Sequence, residues 1–260
     1  MDEALAEFVG RVGPFPGRGV SVLGLGPGDP GLLTVKAAVR LRQAEVVFYD
    51  FGNSPWAIWD LVTPGAERTL VPCEISTGDI VAMIRPHVEA GRRVVYLVAG
   101  DPFVFERADA VAEALAAGGL AVEIVPGLTA AVAAAAYAGI PLTSQGVAGA
   151  LCLAAGCDYH GSRLPSPILA TMARSGILVL YVAEEHLDQL CAELRACGLA
   201  GQTPATLVAD ATEPSQRVVS ATLDTIGAEV TRAGVKPPAL VFIGAHAAPR
   251  PGWAWFAHGD

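Results

Sequence analysis

Positive charge is scarce in this 260-residue sequence: 17 lysines and arginines face 26 aspartates and glutamates, a formal net charge of −9. Phosphate contacts need a basic surplus, so this balance argues against a nucleic-acid binder but not against a locally basic pocket for a small anion. Charged residues of both signs make up only 17% of the chain and apolar ones 52%, the composition of a globular protein with a sizeable core. Long hydrophobic runs are missing too. No stretch reaches the roughly 18 uninterrupted apolar residues of a membrane span, and the alanine-rich run from Ala130 to Ile140 is interrupted by Gly139. Asp2, Glu3 and Glu7 stand where a signal peptide would be basic, so a cytoplasmic location is expected. The five cysteines, Cys73, Cys152, Cys157, Cys191 and Cys197, form no CxxC pair. Metal-ligand spacing is therefore absent and a disulfide framework is not expected; the pattern reads as reduced, mostly buried thiols and no metal.

What is present is alternation of strand and helix. Residues 1–18, with Gly13, Pro14, Pro16 and Gly17, read as a flexible N-terminal arm. Apolar runs at 20–25, 45–49, 94–98 and 121–125 read as strands, with helical patterns at 32–42, 78–89 and 108–117 between them. Such alternation implies parallel βαβ units, and the lack of period-two patterning implies strands buried on both faces. A helix is expected over 127–139, ended by Gly139 and Pro141. Beyond it, runs at 148–155, 176–182, 205–208, 217–221 and 239–243 suggest a second, mixed sheet, with helices at 185–196 and 223–233. The fold class is α/β in two domains, placed at 19–138 and 139–260.

The stretch from Val20 to Asp50 opens the first sheet, and its first strand ends in Gly24, Gly26 and Gly28 with Pro27 and Asp29 among them. A tight turn without a ligand would explain glycines alone. A dinucleotide fingerprint fails, because Asp29 stands where its last glycine belongs and Pro27 removes an N–H that would face a pyrophosphate. A Walker loop fails for want of Gly-Lys-Ser/Thr. The loop suits a ligand without phosphates. Two similar loops, Gly100-Asp101-Pro102 and Pro126-Gly127-Leu128-Thr129, follow the later strands 94–98 and 121–125, so a parallel sheet would gather all three at one edge.

The blocks GLGPGDPGLLTVKA at 24–37, AEVVFYD at 44–50, AGDPFVFER at 99–107, VPGLTAAVAAAAYAGIPLT at 125–143 and TEPSQRVV at 212–219 resemble the tetrapyrrole methylase family, and within it the uroporphyrinogen-III C-methyltransferases. The blocks fall in family order between residues 24 and 219. The resemblance implies S-adenosyl-L-methionine as methyl donor, S-adenosyl-L-homocysteine as product, a homodimer, and a donor site in the crevice between the two domains. Position by position, it assigns donor contacts to Pro27, Ala99, Gly100, Asp101, Val104, Thr129, Ala130, Val182 and Ala211. Apolar side chains and backbone there suit an adenine. Asp50 matches the residue proposed as proton acceptor, with a turn acid after a strand as the plain alternative. Arg107 matches an arginine that would clamp a substrate carboxylate, with a surface ion pair to Glu106 or Asp109 as the alternative. Asp101 reads as a donor contact, with a loop-capping acid as the plain alternative.

The match breaks on the acceptor side. Val71-Pro72-Cys73-Glu74 replaces the family's Gly-Lys-Arg segment, and Tyr96-Leu97-Val98-Ala99-Gly100 replaces its Arg-Leu-Lys-Gly-Gly. Each lost charge-assisted hydrogen bond to a carboxylated acceptor would cost about 1.5–3 kcal/mol. Arg85, Arg92, Arg93, Arg163 and Arg174 remain as candidate anion contacts, His160 as an acid/base candidate, and Trp56 and Trp59 as packing or acceptor-lining aromatics. The resulting expectation is methyl transfer to uroporphyrinogen III or a related precorrin. A different acceptor, or donor binding without turnover, are the alternatives.

Overall fold

The computed structural model describes residues 7, 9–50, 56–72, 74–143, 149–156, 164–182, 187–236, 239–253 and 255–256, with backbone alone at 56, 57 and 182. The chain forms two compact units, Met1–Thr129 and Ala130–Asp260.

The first unit runs β1 (Gly19–Gly24), α1 (Val35–Gln43), β2 (Val46–Tyr49), β3 (Glu67–Leu70), α2 (Thr77–Glu89), β4 (Val94–Val98), α3 (Ala108–Ala117) and β5 (Ala121–Val125). Its sheet has the order β3-β2-β4-β1-β5, and every pairing is parallel. All strands therefore end at one edge, where the candidate loops lie. Central β1 and β4 are buried along their whole length. One face packs against α2 and α3 through Ile80, Ile84, Val111 and Leu115. The other packs against α1 through Ala37 and Leu41. Local chemistry sets the helix starts: the Thr34 hydroxyl accepts from Ala37 N–H at 3.2 Å, so α1 begins at Val35 rather than 32. Pro30–Leu32 is a separate 3-10 turn capped by Asp29.

Strand β3 escapes a reading by apolar runs because it is a polar edge strand, Glu67-Arg68-Thr69-Leu70, largely exposed. The stretch at 13–15, read as part of a flexible arm, is fastened instead. Buried Arg40 donates to the carbonyls of Gly13 (3.0 Å) and Pro14 (2.9 Å), and its guanidinium lies over the Phe15 ring. The same arginine forks onto both carboxylate oxygens of Glu123 at 2.6 and 2.9 Å.

The second unit runs α4 (Ala130–Ala138), β6 (Ala150–Ala155), α5 (Ser166–Ser175), β7 (Gly176–Val182), α6 (Leu187–Ala196), β8 (Pro204–Ala209), β9 (Arg217–Thr222), α7 (Ile226–Ala233) and β10 (Ala239–Ile243). The sheet order is β6-β7-β10-β8-β9. Only β6 and β7 pair in parallel, which makes the sheet mixed. Helices α5, α6 and α7 cover one face. The other takes α4, whose Ala131, Ala134, Ala135 and Ala138 lie against Ile177, Val179 and Phe242. That packing assigns α4 to the second unit, nine residues earlier than the division at 138/139 read from the sequence. Small side chains let a helix approach a sheet closely, and sequence pattern does not say which sheet. Helix α5 also went unread; its inward face is only Leu169, Ala170 and Ala173. Cys191 is buried, Cys152 and Cys197 partly so, and all three are free thiols. Cys73, Cys157, His160 and Arg163 lie outside the described residues.

Candidate functional site

At the carboxyl edge of the first sheet, three loops meet backbone to backbone. Gly26 and Gly100 exchange N–H···O hydrogen bonds at 3.0 Å in both directions. A Cβ on Gly24 would lie 2.5 Å from the Gly100 oxygen and 2.6 Å from the Gly127 nitrogen; one on Gly127 would lie 2.0 Å from that oxygen. Side chains cannot exist at this crossing. Gly26 also takes φ +79°, in the left-handed region that disfavours other residues. Asp101 fastens the crossing: its carboxylate accepts from Phe103 N–H at 2.9 Å and from Gly127 N–H at 3.0 Å. The loop-capping role is therefore filled, and it pins the 126–129 loop to the 99–107 loop. Around it lie half-buried Pro27, Gly100, Val104 and Thr129, with Ala99 exposed. Small apolar groups and backbone, without a cation, suit a neutral or sulfonium ligand better than a phosphate.

Beside this crossing, Asp50 lies one residue past β2 and is 9% exposed. Its Oδ2 accepts from the Tyr96 hydroxyl at 2.7 Å and stands 3.6 Å from Arg107 Nε. Burial pushes the Asp50 carboxyl up from its ordinary value, while the Tyr96 hydrogen bond and the Arg107 charge pull it down. Burial and the Asp50 charge push the Tyr96 phenol up, so it stays a donor. The Arg107 guanidinium also meets backbone carbonyls. Its Nη1 donates to the Ile75 carbonyl at 3.1 Å and Nη2 to the Pro72 carbonyl at 3.2 Å. It ties Pro72 and Ile75 to Asp50. Glu106 joins this group: burial, then the charge of Asp50, raise its carboxyl to about 8.

Tyr96 and Glu106 are the residues sequence reasoning missed here. Tyr96 read as one more apolar strand position, and Glu106 only as a neighbour of Arg107. The remaining arginines are committed elsewhere: Arg85 to Gly118 O, Arg92 to Glu67, Arg93 to Gln43 O, and Arg174 to Cys197 O. Trp59 packs edge-on to Tyr49 at 4.9 Å, with Arg68 over its ring.

In the second unit the register gathers the other candidates. Ala239, at the start of β10, pairs with Val182 on one side and Ala209 on the other. Val182 and the 210–212 loop thus share an edge. The Tyr181 hydroxyl accepts from Ala131 N–H at 3.2 Å, which brings the start of α4, with Ala130, to that same edge. Ala211 is half-buried between two residues with left-handed backbone, Asp210 (φ 46°) and Thr212 (φ 70°). Such conformations cost roughly 1–3 kcal/mol each and persist where surroundings over-determine them. Here Thr212 N–H donates to Gln216 Oε1 at 2.8 Å. Among the described residues no group of His, Cys, Asp or Glu could hold a metal ion, and no helix is long and apolar enough to cross a membrane.

Two α/β units, one parallel and one mixed, with small-residue loops gathered at a sheet edge, define the class. A model of the tetrapyrrole (corrin/porphyrin) methylases matches residues 19–227, and the chain belongs to that family. It is 38% identical, over 98% of its length, to a siroheme synthase from Stutzerimonas stutzeri (strain A1501), covering 56% of that protein. It is 40% identical, over 86% of its length, to the siroheme synthase of Nitrosospira multiformis, covering 48%. The chain thus spans about half the length of the curated relatives it matches. Among solved structures, uroporphyrin-III C-methyltransferase from Thermus thermophilus, complexed with S-adenosylhomocysteine, superposes with a TM-score of 0.75. The two are 31% identical, over 87% of this chain and 97% of that one. A cobalt-precorrin-4 methyltransferase of cobalamin biosynthesis gives 0.81 at 26% identity, covering 89% and 97%.

Proposed function

We propose that this chain is an S-adenosylmethionine-dependent C-methyltransferase acting on uroporphyrinogen III or a related precorrin. The observation that carries the reading is the juxtaposition, at one sheet edge, of the side-chain-free crossing at Gly24, Gly100 and Gly127 with the buried Asp50–Tyr96–Arg107 group. By the family resemblance, Pro27, Ala99, Gly100, Val104, Thr129, Ala130, Val182 and Ala211 would hold the donor. The sulfonium supplies an electrophilic methyl whose departure leaves a neutral thioether.

The protein's part is to align the nucleophilic carbon with that methyl and to take up the proton the acceptor loses. Asp50 accepts this proton: burial raises its affinity for it, and Tyr96 holds the carboxylate oriented. Arg107 holds the 72–75 segment and balances the Asp50 charge. Asp101 acts on the donor through the loops it joins. In keeping with the family resemblance, the enzyme works as a cytoplasmic homodimer.

Incubation with uroporphyrinogen III and the donor tests the reading: precorrin-2, or its fluorescent oxidised form, is the expected product. Asp50→Asn should lower the methyl-transfer rate at least a hundredfold, about the weight of a general base, with S-adenosylhomocysteine still bound; an undiminished rate would rule Asp50 out as the base. A second reading, the same donor with another acceptor, is favoured by one observation: Arg107 turns its nitrogens inward onto Pro72 and Ile75. Donor binding with no methylation of uroporphyrinogen III would select it.

A further inference from the structure

Residues 210–216 form the hairpin loop between β8 and β9, which close on the pair Ala209–Arg217. The loop is held to one shape from within. Glu213 N–H donates to the Asp210 carbonyl at 3.0 Å, and Gln216 N–H to the Glu213 carbonyl at 2.8 Å. The wholly buried Gln216 side chain then accepts Thr212 N–H on its Oε1 at 2.8 Å. Thr212 is itself buried, and its φ of 70° is one that a β-branched residue adopts only under constraint. Gln216 Nε2 is equally buried and has no hydrogen-bond partner among the described residues. The half-buried Ala211 stands between the left-handed residues Asp210 and Thr212. Among the described residues, neither its N–H nor its carbonyl is hydrogen-bonded.

We propose that Gln216 is a positioning residue for the methyl donor, aiming the Ala211 carbonyl by holding the other end of its peptide group. The assignment rests on the reading above, that Ala211 holds the donor. The Ala211 carbonyl and the Thr212 N–H belong to one planar trans peptide and point in opposite directions. With the N–H fixed on a buried side chain, the carbonyl is turned away from that side chain and is left to accept an N–H of the donor. Such an acceptor needs no reorganisation when the ligand arrives. The orphaned Nε2 shows which half of the amide matters. A buried donor without a partner opposes folding, so Oε1 is what glutamine contributes here. An apolar side chain of the same length would leave Thr212 N–H buried and unpaired. The 211–212 peptide would then rotate toward a less strained φ at Thr212 and carry the carbonyl with it.

The test is S-adenosylhomocysteine binding by calorimetry, read beside thermal unfolding, in the wild type, Gln216→Met and Gln216→Glu. Methionine matches glutamine in length and brings no buried donor, but it has no oxygen for Thr212. Loss of one hydrogen bond and loss of one orphaned amide oppose each other, so the unfolding midpoint should stay near the wild type's. Affinity should nevertheless fall about tenfold, the weight of one aligned hydrogen bond. Glutamate returns an oxygen to the Oε1 position and should recover most of that affinity. Unchanged affinity in Gln216→Met overturns the assignment and leaves the donor reading intact. So does a fall in affinity that tracks lost stability and that Gln216→Glu does not restore. No binding of S-adenosylhomocysteine by the wild type overturns the donor reading, and this proposal with it. Amide exchange reads the clamp in the unmutated chain. Thr212 N–H, outside any helix or strand, should exchange about a hundredfold more slowly than an unprotected amide. Fast exchange there overturns the proposal whatever the binding shows.

Discussion

The Tyr96 hydroxyl donates a 2.7 Å hydrogen bond to Asp50 Oδ2 from the strand beside it. Strands β2 and β4 run in register, Phe48 opposite Tyr96 and Tyr49 opposite Leu97, so the residue just past β2 falls within reach of that phenol. The Tyr96 ring belongs to the core, fully buried, while its oxygen serves the site.

Tyr96→Phe should cost about 1–3 kcal/mol by leaving a buried carboxylate short of a donor, and should raise the Asp50 carboxyl further. The sign of the pH effect follows from the raised folded-state value. Stability from Asp50 is fully present below its unfolded pKa and is lost as pH rises through the folded one. The variant should therefore lose more stability than the wild type between pH 4 and neutrality. Urea unfolding across that range measures this. The acid limb of methyl transfer should move to higher pH, and an unmoved limb would separate Tyr96 from Asp50.

Gly127→Ala sets a Cβ 2.0 Å from the Gly100 oxygen, a contact that only backbone movement relieves. On the proposal that this loop holds the donor, S-adenosylhomocysteine affinity should fall at least tenfold, with a stability loss of about 1–3 kcal/mol. Gly78→Ala is the control. It lies in α2 with 3.7 Å of clearance to the nearest atom and should stabilise by about 0.5–1 kcal/mol without altering binding. Calorimetry and thermal unfolding read both.

Arg107→Lys keeps the charge but loses the planar fork that meets Pro72 O, Ile75 O and Asp50 together. The 72–75 segment should loosen, detectable as faster amide exchange at Ile75, whose N–H bonds Pro72 O at 3.3 Å. Acceptor KM should rise several-fold while S-adenosylhomocysteine affinity holds. A loss of donor affinity with unchanged KM would refute this division of labour.

Glu123 answers at the acid end. Burial opposes its ionisation, yet hydrogen bonds from Arg40, Lys36 and Ser21 hold it down at about 2. Stability from this group is present above its unfolded value near 4.5 and is lost as pH falls through the folded one. Glu123→Gln should cost about 3–5 kcal/mol at neutral pH, the penalty for breaking a buried pair. That gap should close on acidification. The Gly13–Phe15 stretch, held through Arg40, should become a protease site in the variant.

By itself the sequence determined the alternation of strands and helices, the place of the three small-residue loops and the candidacy of Asp50. Buried parallel strands must be apolar throughout, and loops that meet backbone to backbone must be glycine; both constraints are written locally, as at Val94–Val98 and Gly24. Tertiary structure decided what depends on residues far apart in the chain. The polar edge strand Glu67–Leu70 is a strand only because β2 pairs with it. Helix α4, whose alanines would fit either sheet, goes to the second unit because Ile177, Val179 and Phe242 receive it. The role of Arg107 turned on two carbonyls at positions 72 and 75, and that of Tyr96 on the register of two strands. Hydrogen-bond partners and burial set these roles, and neither has a signature within a few residues of sequence.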